Sequence, residues 1–234
     1  MRKFREFIEG LLHWDNHPND LKIRSILEEL HRQLPSKRTA VVGWFELPLG
    51  MRSATIRSGY SQSSLQDIAN LMGAFLGVPL AVQVKVVDRF SGGKTAGLYK
   101  VHGQFQRTVE IVRNPAFGIE NYLAILAHES THHYLYEYRI RKENEHENEM
   151  LTDLAAVYIG FGPLLFLGYQ TISSLNSFER TQSSTTLGYV SPHDIRTAAR
   201  IVVEMRGNEL PRDRSSTSYN DESVIYLGPR SDGK

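Results

Sequence analysis

The 234-residue chain contains no cysteine, which excludes disulfide bonds and thiolate metal ligands and is compatible with a reducing compartment. Excess charge of one sign is also lacking. Because the formal net charge is only +1, electrostatics give no reason to expect nucleic acid as a partner. The most apolar run, residues 154–169, is too short for a comfortable membrane span, and residues 1–7 lack the apolar core of a secretion signal. We therefore expect a cytoplasmic protein that does not bind a membrane.

The most informative stretch is AHESTHH at residues 127–133, which contains the pattern His-Glu-x-x-His. It ends an apolar run that begins at Ile119 and has neither proline nor glycine, which predicts a helix. Four helical steps of ~100° bring His128 and His132 to one face, where two imidazole nitrogens can hold one Zn²⁺. Glu129 lies ~100° from His128, close enough to reach a water on the metal as a general base.

A pair of carboxylates follows on what we expect to be a second apolar helix. Glu149 and Asp153 are four residues apart, and burying them is unfavourable unless they are paired or bound to metal. Glu149 as third zinc ligand and Asp153 as acceptor for a ligand histidine N–H account for both. Asp153 itself and His146 remain alternative third ligands, whereas His133 lies ~100° from His132 and off the shared face.

His-Glu-x-x-His followed by Asn-Glu-x-x-x-Asp resembles the gluzincin metallopeptidases, the thermolysin-like branch of the zincins. The resemblance covers residues 118–162, and the short linker between the two motifs implies a minimal version of the fold. No downstream histidine clearly matches the one that helps to stabilise the tetrahedral intermediate in this family. The resemblance implies a zinc peptidase site with ligands His128, His132 and Glu149, general base Glu129, and Asp153 orienting His128.

The whole chain predicts an α+β protein with three regions. Residues 1–38 show two amphipathic helical patterns, over 1–14 and 21–34, with Asp20 as the cap of the second. This N-terminal helical hairpin is either a packing element or an appendage that docks a protein partner or a substrate. With 41% hydrophobic residues in the chain, residues 39–208 can form the metallopeptidase domain, and residues 209–234 form a polar tail.

Periodicity and turn residues divide the central region into elements. They predict strands at 39–47, 80–87, 96–101 and 104–112, helices at 65–76 and 194–206, loops at 48–64 and 171–187, a glycine turn at 91–95, and a further strand at 224–227. The resemblance implies a zincin-like arrangement, in which a small mixed or antiparallel sheet packs on the motif helix and the Glu-bearing helix. One edge strand would then lie along the cleft and pair with an extended peptide.

These patterns favour a zinc metalloendopeptidase that hydrolyses a peptide or protein substrate, with Tyr189 or His193 as a candidate oxyanion donor. Two alternatives belong to other classes. The first is a zincin-fold binding or sensing module without proteolysis. The second is a DNA-associated metalloprotease, suggested by arginines near the C-terminus: Arg196, Arg200, Arg206, Arg212 and Arg214.

Overall fold

The computed structural model describes residues 7, 9, 11, 18–34, 43–77, 82–88, 96–102, 106–176 and 187–206. These residues form a mixed α+β structure with a small three-stranded sheet, as the sequence predicts. In chain order the elements are α1 (Asp20–Gln33), α2 (Leu49–Arg57), α3 (Gln62–Leu76), β1 (Val82–Val87), β2 (Gly97–His102), β3 (Gln106–Val112), α4 (Ile119–Glu137), α5 (Glu145–Ala156), a π-helical segment (Val157–Phe161), α6 (Gly162–Asn176) and α7 (Pro192–Met205).

The sheet has the strand order β1-β3-β2, so β2 forms one of its edges. Strand β3 pairs in parallel with β1 and antiparallel with β2, which places Gly97 opposite Ile111 and His102 opposite Gln106. The three strands predicted in this part of the chain are confirmed over their described residues. The glycine turn predicted at 91–95 lies outside the described residues.

Helix α4 carries the His-Glu-x-x-His motif and runs through the hydrophobic core. Asn121 fixes its first turn, because its side chain accepts a hydrogen bond from the main-chain N–H of Gly118 and donates one to the carbonyl of Gly168 in α6. A Cβ on Gly168 would lie 2.3 Å from the Cβ of Ala124. Glycine therefore permits a close approach of α4 and α6.

Helix α5 continues through the π-helical segment into α6. Gly160 lies in that segment with φ at +107°, a conformation that favours glycine. The helix over Glu145–Tyr169 is longer than the apolar run alone predicts, and by length and composition it could cross a membrane. Its most apolar window is, however, 89% buried inside the structure, consistent with the core helix of a soluble protein. Helix α6 extends to Asn176, so the loop predicted at 171–187 is wrong over its first residues, where helix propagation continues.

The strand predicted at 39–47 is wrong over its described part. Residues 43–48 form no strand, because the main-chain N–H of Phe45 donates at 2.9 Å to the carbonyl of Gly160 instead of a neighbouring strand. Residues 39–42 lie outside the described residues.

The loop predicted at 48–64 contains helix α2, which its sequence hides because apolar residues do not recur with a helical period. Tertiary contacts stabilise it instead: Arg52 forms an ion pair with Glu120 of α4, and Thr55 is buried. Helix α3 follows, as predicted, and begins at an N-cap, Ser61, whose hydroxyl accepts from a main-chain N–H.

Helix α1 confirms the second helix of the predicted hairpin, and it packs into the same core as the central region through Ile23, Leu27 and Leu30. The first predicted helix, over 1–14, lies mostly outside the described residues. Phe7, which is described, is buried against the ring of Phe166 with centroids 5.2 Å apart. The observed packing favours the interpretation of this region as a packing element.

The cap predicted for α1 is wrong. The N-cap residue is Asn19, and Asp20 lies in the first turn. Asn19 donates its amide to Asp194 at the start of α7, and Asp20 binds Arg200 at 3.2 Å. Both side chains therefore join α1 to α7 and do not cap the helix. Helix α7 itself is confirmed and begins two residues earlier than predicted, after the N-cap Ser191. The predicted strand at 224–227 and the polar tail lie outside the described residues.

Candidate metal centre

Three potential ligand atoms from α4 and α5 converge in the core. The Nε2 atoms of His128 and His132 lie 3.1 Å apart, and Oε2 of Glu149 lies 3.0 Å from the first and 3.1 Å from the second. The four-residue helical spacing accounts for the two histidines, and packing of α5 against α4 brings in the carboxylate. These three residues can hold a metal ion.

Hydrogen bonds on the far side of each ring determine which nitrogen faces the cluster. Nδ1 of His128 donates to Oδ1 of Asp153 at 2.8 Å, since a carboxylate can only accept. The Thr152 hydroxyl donates to the carbonyl of Asn148 at 2.9 Å, so its oxygen can accept from Nδ1 of His132 at 3.3 Å. With both Nδ1 atoms protonated, the Nε2 atoms direct lone pairs at the cluster.

Asp153 is fully buried and accepts hydrogen bonds from three further groups besides His128. Oδ1 also accepts from the Tyr169 hydroxyl at 2.6 Å, and Oδ2 accepts from the main-chain N–H groups of Tyr189 at 2.8 Å and Val190 at 3.2 Å. Gly188 makes this possible, because a Cβ there would lie only 2.0 Å from the Tyr169 ring. One carboxylate on α5 therefore joins α4, α6 and the segment before α7.

Glu129 is buried beside the cluster, under the first residues of β2. A Cβ on Gly97 would lie 2.5 Å from its Oε1, so only glycine leaves room for this carboxylate. The main-chain N–H of Tyr99 donates to it. Burial raises the pKa of Glu129, the charge of Glu149 adds to the rise, and the nearby histidines oppose it. A raised pKa suits a group that accepts and later returns a proton near neutral pH.

The electrostatics of the cluster favour a cation. In the absence of a metal, burial opposes the ionisation of Glu149, but hydrogen bonds and positive charge from protonated His128 and His132 outweigh it and lower the pKa of Glu149 to about 2. Burial also works against a charged His128, but Asp153 and Glu149 outweigh it and raise the pKa of this imidazole well above its usual range. The same carboxylates that favour a proton on His128 would favour a metal ion bound to its lone pair.

The donor set fits a zinc ion. Zinc prefers a tetrahedral arrangement of imidazole and carboxylate ligands at about 2.0–2.1 Å, which separates neighbouring ligand atoms by about 3.3 Å. The observed separations of 3.0–3.1 Å are close to this value. Two imidazoles and one carboxylate leave a fourth position for water or substrate, as in catalytic zinc sites.

The other histidines considered as ligands lie elsewhere. Nδ1 of His133 is 3.0 Å from the Tyr99 hydroxyl, on the side of α4 that faces β2. His146 is exposed, and its ring lies 6.0 Å from that of Tyr189. The Tyr189 ring also stacks against His128 at 6.2 Å, which places it at the rim of the cluster. His193 lies in the first turn of α7, where its carbonyl accepts from a threonine one turn later.

Sequence reasoning missed six contributors to the site: Gly97, Tyr99, Thr152, Tyr169, Gly188 and Val190. Thr152 had a usable signal, because it follows Glu149 by three residues and so shares a helical face with it. The main-chain groups of Tyr99 and Val190 carry no sequence signal at all. Tyr169 reaches Asp153 only because α6 folds back on α4.

Comparison with known proteins adds no family to this picture: no family model, no curated protein and no solved structure matches the chain.

Proposed function

We propose that this protein is a zinc-dependent metalloendopeptidase of the gluzincin type, acting in the cytoplasm on a peptide or protein substrate. The observation that carries the proposal is the convergence of three ligand atoms within 3.1 Å of one another. The buried carboxylate of Glu129 lies beside them, on the same helix as the two histidines. Three lone pairs directed at one point repel one another unless a cation lies between them. The cluster is the part of the molecule that resembles a His-Glu-x-x-His peptidase site.

Each residue then has a defined part in hydrolysis. His128, His132 and Glu149 hold the ion, and Asp153 keeps the imidazole of His128 in the tautomer whose Nε2 is available. When bound, zinc lowers the pKa of water and polarises a carbonyl group. Glu129 takes one proton from the attacking water while the water oxygen forms its bond to the peptide carbonyl carbon. It returns that proton to the amine as the C–N bond breaks.

Tyr189 is our preferred candidate for a donor to the developing oxyanion. Its ring is stacked on that of His128, is 44% exposed, and is held there by the hydrogen bond from its own main-chain N–H to Asp153. A phenol at the rim can donate to a substrate oxygen while remaining protonated, because burial raises the pKa of Tyr189. His193, in the first turn of α7, remains a second candidate.

The edge strand β2 supports a peptide as the substrate. Its residues Gly97 and Tyr99 lie against Glu129, so a peptide that pairs with this edge would pass directly over the general base. An extended peptide can add to an exposed strand edge through main-chain hydrogen bonds. We therefore propose β2 as the strand that holds the substrate.

The proposal is tested with the zinc-loaded protein and an unfolded protein as substrate. Glu129→Gln should retain full zinc content and lose roughly 10²- to 10⁴-fold in hydrolysis, because the amide cannot take a proton. Glu147→Gln is the matched control: Glu147 lies exposed in the first turn of α5 and should be dispensable. A chelator should abolish the wild-type activity.

Two results would contradict this assignment. Unchanged hydrolysis in the Glu129→Gln variant would remove Glu129 from the mechanism. A fully zinc-loaded wild type that cleaves no substrate would instead support the zincin-fold binding module.

No observation favours the DNA-associated alternative. Arg200 binds Asp20 at 3.2 Å, and the guanidinium of Arg206 lies 4.7 Å from the ring centroid of Tyr158. Arg196 lies over a phenylalanine ring. These three arginines make contacts within the fold, and the other two of the group lie outside the described residues.

A further inference from the structure

In β2, the main-chain N–H and C=O groups of every second residue point away from β3, towards the open edge of the sheet. The N–H of Val112 donates to the carbonyl of Ala96 at 2.9 Å, so these two residues form a hydrogen-bonded antiparallel pair. Such pairs alternate with non-bonded ones. The N–H and C=O groups of three residues therefore face the open edge: Gly97, Tyr99 and Val101. Within the described residues β2 pairs with β3 alone, and Glu129 takes the N–H of Tyr99.

The side-chain direction of the same three residues is towards α4, which lies alongside the strand. Gly97 lies over Glu129, and Tyr99 bonds to His133. Further along β2, away from the metal cluster, the strand ends beside the last turn of α4. Val101 is there, 40% exposed, together with Tyr136, 49% exposed.

Arg107 joins these two exposed side chains into one surface. It lies opposite Val101 in the β2–β3 register, and its guanidinium stacks over the Tyr136 ring at 4.8 Å. Val101, Tyr136 and the stacked Arg107 therefore form one shelf, whose exposed apolar surface comes from Val101 and Tyr136.

We propose that this Val101–Tyr136 shelf binds one large apolar side chain, aromatic or long aliphatic, of an extended peptide substrate. A peptide paired with the open edge of β2 places the residue opposite Val101 with its side chain on the α4 face, above the shelf. In the paired peptide that residue is two positions from the one opposite Tyr99 and four from the one opposite Gly97, the two strand residues that lie against Glu129. The bond cleaved beside Glu129 therefore lies two to four positions away. The inference rests on the proposed peptidase function and adds a preferred substrate side chain to it.

The test is a cleavage-site survey followed by matched kinetics. Zinc-loaded protein is incubated with a complex peptide mixture, and cleavage positions are read by mass spectrometry. We expect large apolar residues to be enriched at one fixed position, two to four residues from the cleaved bond. For a peptide with Phe there and its Ala counterpart, the ratio of kcat/KM should be at least roughly 10-fold.

Two variants separate the shelf from general effects on the strand. Tyr136→Ala should bring the Phe-to-Ala ratio of kcat/KM towards unity by lowering kcat/KM for the Phe peptide. Leu98→Ser is the matched control, because Leu98 is an apolar side chain of similar exposure, 37%, on the opposite face of the same strand. It should leave the ratio unchanged. Cleavage without an apolar preference, or a ratio that survives Tyr136→Ala, overturns the shelf but leaves the peptidase proposal intact.

A binding measurement tests the proposed role of the shelf without requiring hydrolysis of the peptide. The zinc-loaded Glu129→Gln variant is titrated with a fluorescently labelled Ser/Ala peptide carrying a single Phe and with the same peptide carrying Ala. Tighter binding of the Phe peptide, lost in the Glu129→Gln/Tyr136→Ala double variant, supports the shelf even if wild type hydrolyses nothing. Equal affinity for the two peptides overturns it.

Discussion

Replacing Asp153 with asparagine tests how a buried carboxylate holds the metal centre together. Oδ1 of Asp153 accepts hydrogen bonds from His128 and Tyr169, and Oδ2 accepts from the main-chain N–H groups of Tyr189 and Val190. Asparagine has nearly the same shape but a single oxygen, so its NH₂ group must face one of these two donor pairs. One pair therefore loses its acceptor whichever way the amide turns.

Either orientation weakens the site. With the NH₂ facing His128, the ring must accept at Nδ1 and carry its proton on Nε2, which removes a ligand lone pair. With the NH₂ facing residues 189–190, two buried N–H groups lose their partner at about 1–3 kcal/mol each. Both orientations also remove the negative charge next to the ligand ring. We expect zinc affinity to fall roughly 10- to 100-fold and the free energy of unfolding of metal-free protein to fall by about 2–5 kcal/mol.

Zinc affinity is measured by competition with a chromophoric chelator, and stability by denaturant unfolding of the metal-free protein. Asp194→Asn is the matched control, because Asp194 lies in the exposed capping box of α7 with Ser191. It should keep zinc affinity unchanged and lose about 1 kcal/mol of stability. The reasoning is refuted if Asp153→Asn binds zinc as tightly as wild type and is no less stable than Asp194→Asn.

Three further predictions follow from the same geometry. Glu149→Gln replaces the ligand carboxylate with a neutral amide, so zinc affinity should fall by more than roughly 100-fold. This loss is larger than the one expected for Asp153→Asn, which changes the hydrogen-bond partner of a ligand and not a ligand itself. Gly97→Ala places a methyl carbon 2.5 Å from Oε1 of Glu129. Displacing this base should lower hydrolysis by roughly 100-fold while zinc content is retained. Removing zinc should lower the thermal midpoint, because an ion bound only by the folded chain contributes about 2.7 kcal/mol at 100 times its Kd.

Each of these has a distinct contradicting result. A Glu149→Gln variant that copurifies with stoichiometric zinc would exclude Glu149 as a ligand. Full hydrolysis by Gly97→Ala would mean that the Glu129 carboxylate can move without consequence. Identical melting curves with and without a chelator, for protein shown to contain zinc, would mean that the ion binds outside the folded core.

The parts of this protein that could be predicted from sequence depend on local spacing. The four-residue interval between His128 and His132 fixes a shared face once the segment is helical, and the interval between Glu149 and Asp153 does the same on α5. The alternation of residues in β2 and β3 indicated the antiparallel pair at the edge of the sheet. These predictions needed no knowledge of which elements pack together.

The parts that could not be predicted depend on contacts between distant segments. Nothing in the sequence near Tyr189 indicates that its main-chain N–H reaches Asp153, and α2 forms because of its pairing with α4 rather than from its own apolar pattern. The sequence identifies Gly97 only as a strand residue. Its lack of a side chain, however, leaves the space under β2 in which the Glu129 carboxylate lies. Tertiary packing, which overrides local propensity, decided each of these features.

Anomalous diffraction at the zinc edge, from crystals of the zinc-replete protein, tests the central claim most directly. We predict one strong peak per chain, within bonding distance of Nε2 of His128, Nε2 of His132 and Oε2 of Glu149. Asp153 should accept a hydrogen bond from the His128 ring. A peak at another place, or no peak among these three side chains in protein shown to contain zinc, would contradict the account.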